Sequence, residues 1–145
     1  MTAPLTYLKK QKTNVAPSPL AGFIDTVQMN QNLEAAFMRY TDVNQKDTNG
    51  FTALYWAVLH HNMHNVELLM YFGATLEVTH NNNALFYAIE CDNLEALKYF
   101  IEKGIDKNIT RISSTGTTYT LLTYAQRLKR KVISEYLKSQ YKVKK

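Results

Sequence analysis

The chain has 145 residues, 46% of them hydrophobic and 20% charged, a size and balance that predict one globular domain with a core of its own. Its formal charge of +5 is carried by the ends: residues 1–20 hold three lysines and no acid, residues 127–145 hold eight basic residues against Glu135, and residues 21–126 hold six basic against eleven acidic residues. The acidic body argues against general nucleic-acid binding, and the single cysteine, Cys91, excludes an internal disulfide framework and fits a reducing, cytoplasmic location.

The opening run MTAPLTYLKKQK places its lysines after the apolar residues and lacks the continuous apolar stretch of a secretory signal. With Pro4, Pro17 and Pro19, residues 1–21 are expected to be extended, either packed along the domain or hanging free. The longest wholly apolar run, the seven residues Ala53–Leu59, is far below a membrane span.

Two anchors then recur along the chain. Ala53-Leu54-Tyr55-Trp56-Ala57 returns 31 residues later as Ala84-Leu85-Phe86-Tyr87-Ala88, and after a further 37 as Leu121-Leu122-Thr123-Tyr124-Ala125. Leu69-Met70-x-x-Gly73-Ala74 returns, also after 31, as Phe100-Ile101-x-x-Gly104-Ile105. A first helix near 52–60 begins after the turn dipeptide Asn49-Gly50, with Thr52 placed to cap it. A second near 64–72 gathers Val66, Leu69 and Met70 on one face, and Gly73 sits where a helix end needs a left-handed residue. Neither short helix pair can bury its apolar face alone, so neighbouring pairs must stack.

The longer spacing before Leu121 falls on RISSTGTTYT, residues 111–120, whose β-branched residues surround Ser114-Thr115-Gly116. That composition predicts a hairpin tip, a finger toward a partner or else an unstructured insertion. Beyond it, Ile133, Tyr136 and Leu137 are spaced to dock on the preceding unit, while Arg127, Lys129, Arg130 and Lys131 keep the open end solvated. Contact of that basic end with an acidic protein surface, or with nucleic acid, stays open as an alternative.

Several residues look chemical. His60 and His64 are four apart, a spacing that suits zinc on one helix, but the expected turn falls between them and no cysteine pair completes a set, so no metal site is expected. Cys91 lies between Glu90 and Asp92, charges that disfavour its thiolate. Trp56, Tyr87 and Tyr124 share one column, read as space-filling between stacked helices or as an aromatic binding strip. No phosphate loop, nucleophile elbow or spaced carboxylate pair is present, so neither catalysis nor a cofactor is expected.

The pattern resembles the ankyrin repeat. The family's aspartate, glycine, threonine and leucine positions are met by Asp47, Gly50, Thr52 and Leu54, and Asp92–Asp106 follows its second-helix consensus closely. Asp42-Val43-Asn44 looks like the family's entry to a hairpin. Departures are Ala53 for the usual proline, Tyr55 and Phe86 for the histidine, Asn81-Asn82-Asn83 where glycine and threonine normally set the turn, and a first unit about three residues short. The resemblance implies an all-α solenoid of about four helix-turn-helix units with short hairpin loops, spanning 22–46, 47–77, 78–108 and 109–145.

It also implies which positions face a partner. These are Thr48, Asn49, Phe51, Leu59 and His60 in the clearest unit, and Thr79, His80, Asn82, Glu90 and Cys91 in the next. In the last they are Arg127 and Leu128, with Thr115, Thr117 and Tyr119 of the finger. The expected function is non-catalytic binding of one protein partner, blocking it in the manner of an immunity or antitoxin-type inhibitor or a host-factor-sequestering protein. The alternative is an adaptor or accessory chaperone that holds an enzyme in a complex. Nucleic-acid binding through the basic ends ranks third.

Overall fold

The computed structural model describes residues 19–141; residues 1–18 and 142–145 lie outside the described part. Eight helices follow one another there: α1 (Pro19–Gln28), α2 (Ala35–Met38), α3 (Ala53–Leu59), α4 (Met63–Tyr71), α5 (Ala84–Glu90), α6 (Leu94–Glu102), α7 (Leu121–Arg127) and α8 (Lys131–Gln140). Strands β1 (Glu77–Thr79) and β2 (Asn82–Asn83) form one two-stranded antiparallel sheet, and β3 (Thr110–Ile112) and β4 (Thr118–Thr120) form another. The all-α expectation is corrected by these two sheets. α1 starts at Pro19, inside the segment 1–21 expected to be extended, and proline's fixed φ suits a first helical turn; the rest of that expectation falls outside the described residues.

Most of the helices start and stop for local reasons. Thr52, Asn83 and Thr120 occupy one column, and each caps the following helix, accepting from Tyr55, Leu85 and Thr123 backbone N–H. Asn83 thus does the threonine's work in the unit that departs from the consensus. Four inter-helix turns close in the same way: the left-handed residues Asn30, His61, Asp92 and Lys129 donate to the carbonyls of Val27, Val58, Ile89 and Gln126. The residues after them donate to Thr26, Ala57, Ala88 and Ala125, which completes a Schellman closure each time. Gly73 and Gly104, at φ 93° and 92°, close α4 and α6 by the same pair of bonds.

The left-handed turns recur at intervals of 31, 31 and 37 residues. They place α1 in the same register as α3, α5 and α7, which the first unit's irregular sequence had obscured. The shortening lies in the second helix: α2 has four residues where α4 and α6 have nine. The six extra residues of the last interval go into the β3–β4 hairpin, turned by Gly116 at φ 89°.

α1, α3, α5 and α7 pack side by side in series, and α3/α4, α5/α6 and α7/α8 pack as pairs. The first helices pack more closely on one another than the second helices do; the first-helix side is called the inward face and the second-helix side the outward one. One continuous core runs through it, with Leu54, Leu69, Leu85, Phe86, Leu97, Phe100, Leu121, Ile133 and Leu137 all fully buried. Burying side chains of this size contributes about 1.5–3 kcal/mol each. The docking expected of Ile133 and Leu137 is met, with Tyr136 half-buried beside them.

Candidate functional site

The inward face carries two clusters. The first grows from the loop before α3. Asp47 accepts four hydrogen bonds: from the backbone N–H groups of Asn49 (2.9 Å) and Phe51 (3.0 Å), the Trp56 indole Nε1 (2.9 Å) and the Gln28 amide Nε2 (3.1 Å). Burial alone raises this carboxyl's pKa; the donors of Phe51, Trp56, Asn49 and Gln28 overcome that and hold it below the ordinary aspartate value. The loop so fixed sets Phe51 flat on Tyr55, with centroids 4.0 Å apart and planes at 11°, and edge-on to Trp56 at 6.1 Å. Tyr55 stacks in turn on Tyr87 at 4.6 Å.

The aromatic column expected from Trp56, Tyr87 and Tyr124 is therefore staggered. Rings pair across columns, Tyr55 with Tyr87 and Phe86 with Tyr124 (5.3 Å, 77°). Phe86 and Tyr87 are buried, whereas Tyr55, Trp56 and Tyr124 are half-buried with polar atoms at the surface network.

The second cluster joins β2, α5, the hairpin and α7. Glu90 Oε2 accepts from Arg111 Nη1 at 3.0 Å and from the Tyr124 hydroxyl at 2.5 Å, while Glu90 Oε1 accepts from Asn82 Nδ2 at 3.4 Å. Arg111 Nη1 also donates to Asn82 Oδ1 at 3.2 Å, and its guanidinium lies over the Tyr124 ring, 5.3 Å from the centroid. Burial first, and then the hydrogen bond to Glu90, push the Tyr124 phenol up to about 12. Arg130 adds a clamp on the backbone, donating through Nε to Ile89 O (3.1 Å) and through Nη2 to Glu90 O (2.6 Å).

The positions assigned to a partner fall into three sets. Thr48, Asn49, Leu59, His80, Thr115, Thr117 and Arg127 are exposed; Phe51, Thr79, Tyr119 and Leu128 are half-buried. Asn82 is buried, and Glu90 and His60 are committed within the molecule. Cys91 caps α5 half-buried; desolvation is the main reason its thiol pKa is raised, with the Glu90 charge adding to it. Arg111 and Asp47 were not among the expected contacts. Asp47 carried a signal, as the aspartate of the repeat signature, whereas Arg111 carried none, because it stands on the lengthened hairpin, which has no counterpart of that length in the other units.

Three of the four histidines join neighbouring units. A carbonyl can only accept, so each ring nitrogen that meets one is protonated. His60 Nε2 donates to Gln28 O at 2.9 Å, His64 Nε2 to Leu33 O at 2.8 Å, and His61 Nε2 to Cys91 O at 3.2 Å. The lone pairs that zinc would need at those Nε2 atoms are taken up by protons. Among the described residues no group of three or more His, Cys, Asp or Glu side chains is placed to hold a metal ion. Buried Asn65 makes a similar clasp, accepting from Leu33 N–H at 2.8 Å and donating to Gln31 O at 3.0 Å, and buried Asn93 donates to Val58 O at 3.0 Å.

Comparison with known proteins adds one match: the family model for ankyrin repeats (3 copies) covers residues 22–111. No curated protein matches the chain.

Proposed function

The chain belongs to the ankyrin-repeat family, and from that premise we propose that it binds one protein partner on its inward face and acts by covering that partner's working surface. Ankyrin repeats are protein–protein interaction modules. α7 and α8 lie beyond the matched residues, and we read them as a fourth, closing unit because their inter-helix turn closes as the other three do.

The observation that carries the reading is the braced surface around Phe51. Asp47 fixes the loop, Tyr55 and Trp56 wedge the Phe51 ring, and exposed Leu59 ends the same helix. A surface ordered before binding loses little conformational freedom on association, and a central aromatic with an aliphatic neighbour is a common composition for a hot spot. Thr48 and Asn49 supply exposed polar groups on the same loop, and the hairpin tip with Thr115 and Thr117 supplies more at the far end of the stack. Blocking of a partner, as an immunity-type or sequestering inhibitor does, is the simplest action of a face that covers a partner's surface. No helix among the described residues is long and apolar enough to cross a membrane.

The test is affinity capture from the source cell with wild type, Phe51→Ala/Leu59→Asp, and Lys131→Glu/Lys138→Glu on the outward side as a control, followed by an activity assay of whatever is retained. Capture by wild type and by the control, lost in the inward-face variant, supports the face. Loss of the captured protein's activity on binding supports blocking; unchanged activity assigns the adaptor role instead. Capture that survives the inward-face variant refutes the reading.

A further inference from the structure

On the outward side, α4 and α6 enclose a groove of about 500 Å³. Met63 and Leu94, both half-buried, form its floor, and Glu67, Glu95, Lys98 and Glu102 stand on its rim. At the far end of the stack a second, smaller groove of about 360 Å³ is lined by Lys129, Lys131, Glu135 and Lys138, with Gln126 and Ser134. Among the described residues the one ion pair is Arg111–Glu90, so none of these rim charges is ion-paired with another described residue. Lys98 reaches toward the Tyr136 ring, 5.7 Å from its centroid, leaving the carboxylates to dominate the first groove.

The two charge rows fit each other. Along α6 the signs run minus, plus, minus at Glu95, Lys98 and Glu102; read backward along α8 they run plus, minus, plus at Lys138, Glu135 and Lys131. The steps are three and then four residues in both, so each row spans about 10.5 Å at 1.5 Å per residue. All six residues are exposed. Val132, 64% exposed beside Lys131, supplies an apolar side chain for the groove floor.

We propose that α8 of one copy lies antiparallel along α6 of a second copy, basic row against acidic row, so that the protein associates with itself through its outward side. The contact joins two different surfaces, so it is heterologous and extends beyond a dimer wherever the geometry does not close a ring. Exposed pairs are individually weak and screened by salt, which makes this a concentration- and salt-dependent association. The inward face takes no part in it, so it stands or falls separately from the partner-binding reading.

Sedimentation equilibrium on the full chain tests it, between about 0.01 M and 1 M salt, where the screening length falls from ~30 to ~3 Å. The expected result is a weight-average mass at least about twofold above monomer at high protein concentration in low salt, returning to monomer in high salt. Glu67→Lys/Glu95→Lys/Glu102→Lys and Lys131→Glu/Lys138→Glu should each be monomeric alone, with unchanged circular dichroism. Mixed in equal amounts they should associate again, because the reversed rows are once more complementary; a merely misfolded variant would not be rescued. A wild type that stays monomeric in low salt overturns the proposal, as does association that survives either reversal. A monomeric chain whose groove captures a synthetic peptide of residues 127–141 also overturns it, and gives the groove to a basic partner.

Discussion

The first and last joints of the stack bring similar helices together with different chemistry. Between the first two helix pairs the bridging groups are mostly imidazoles and amides: His60 and His64 on carbonyls of α1 and the loop after it, and Asn65 on both backbone groups of that loop, with Asp47 accepting from Gln28 beside them. Between the last two, the bridge is made by two arginines, with Glu90 and the Tyr124 hydroxyl between them. The geometry accounts for the contrast. Where α2 is shortened, the loop of residues 29–34 leaves backbone groups that short amides and imidazoles satisfy. Where the chain carries six more residues, a long arginine reaches across from the base of the hairpin. A repeat fold therefore fixes where its units meet but not what holds them, and the two joints should respond to different conditions.

The largest effect is expected at the first joint. Asn65→Ala removes two hydrogen bonds and strands Leu33 N–H and Gln31 C=O, which should cost about 2–4 kcal/mol in denaturant unfolding, with little dependence on salt. Arg111→Ala should cost less, about 1–2 kcal/mol, since the ion pair is roughly one-third exposed on each side. Its signature should be faster amide exchange in β3 and β4 and a loss that shrinks as salt rises. An Arg111→Ala loss independent of salt would make the two joints alike and break the contrast.

pH separates them further. Tyr124 has a folded pKa of about 12, raised from 10.0, so its stabilisation is complete below the unfolded value and lost as pH climbs through the folded one. Tyr124→Phe should flatten the alkaline decline in thermal stability over that range. Asp47, toward the other end of the same face, is lowered from 3.8; its contribution is present above the unfolded value and lost as pH falls through the folded one, so Asp47→Asn should flatten the acid limb. The smallest effect is expected at His61, whose φ of 56° asparagine also tolerates. His61→Asn gives up only the contact to Cys91 O and should cost about 0.5–1 kcal/mol in the same unfolding assay.

The fold was legible wherever a residue acts on its own backbone. Thr52 as a cap, Gly73 and Gly104 as stops, and the apolar face of Val66 and Leu69 follow from local sequence, and each stands where it was expected. The first unit was harder to read because α2 is five residues shorter than α4, which displaced Asn32-Leu33-Glu34-Ala35 from the consensus register. The face itself was legible only in outline. Phe51 and Leu59 carry the repeat signature's spacing, but the bracing of Phe51 needs Gln28 and Trp56 to meet at Asp47, and Glu90 is committed only once Arg111 and Tyr124 arrive from another unit. Pairings of that kind have no period to reveal them.

The left-handed turns at Asn30, His61 and Asp92 are evenly spaced, and each leaves the chain in the same conformation at the same point of its unit. A duplication of residues 62–92 would begin and end on equivalent backbone. The copied unit would bring its own cap at Asn62, its own stop at Gly73 and the Cys91 carbonyl that a preceding His61 needs. The molecule can thus grow by whole steps, and a lengthened version is expected to fold with its original ends intact.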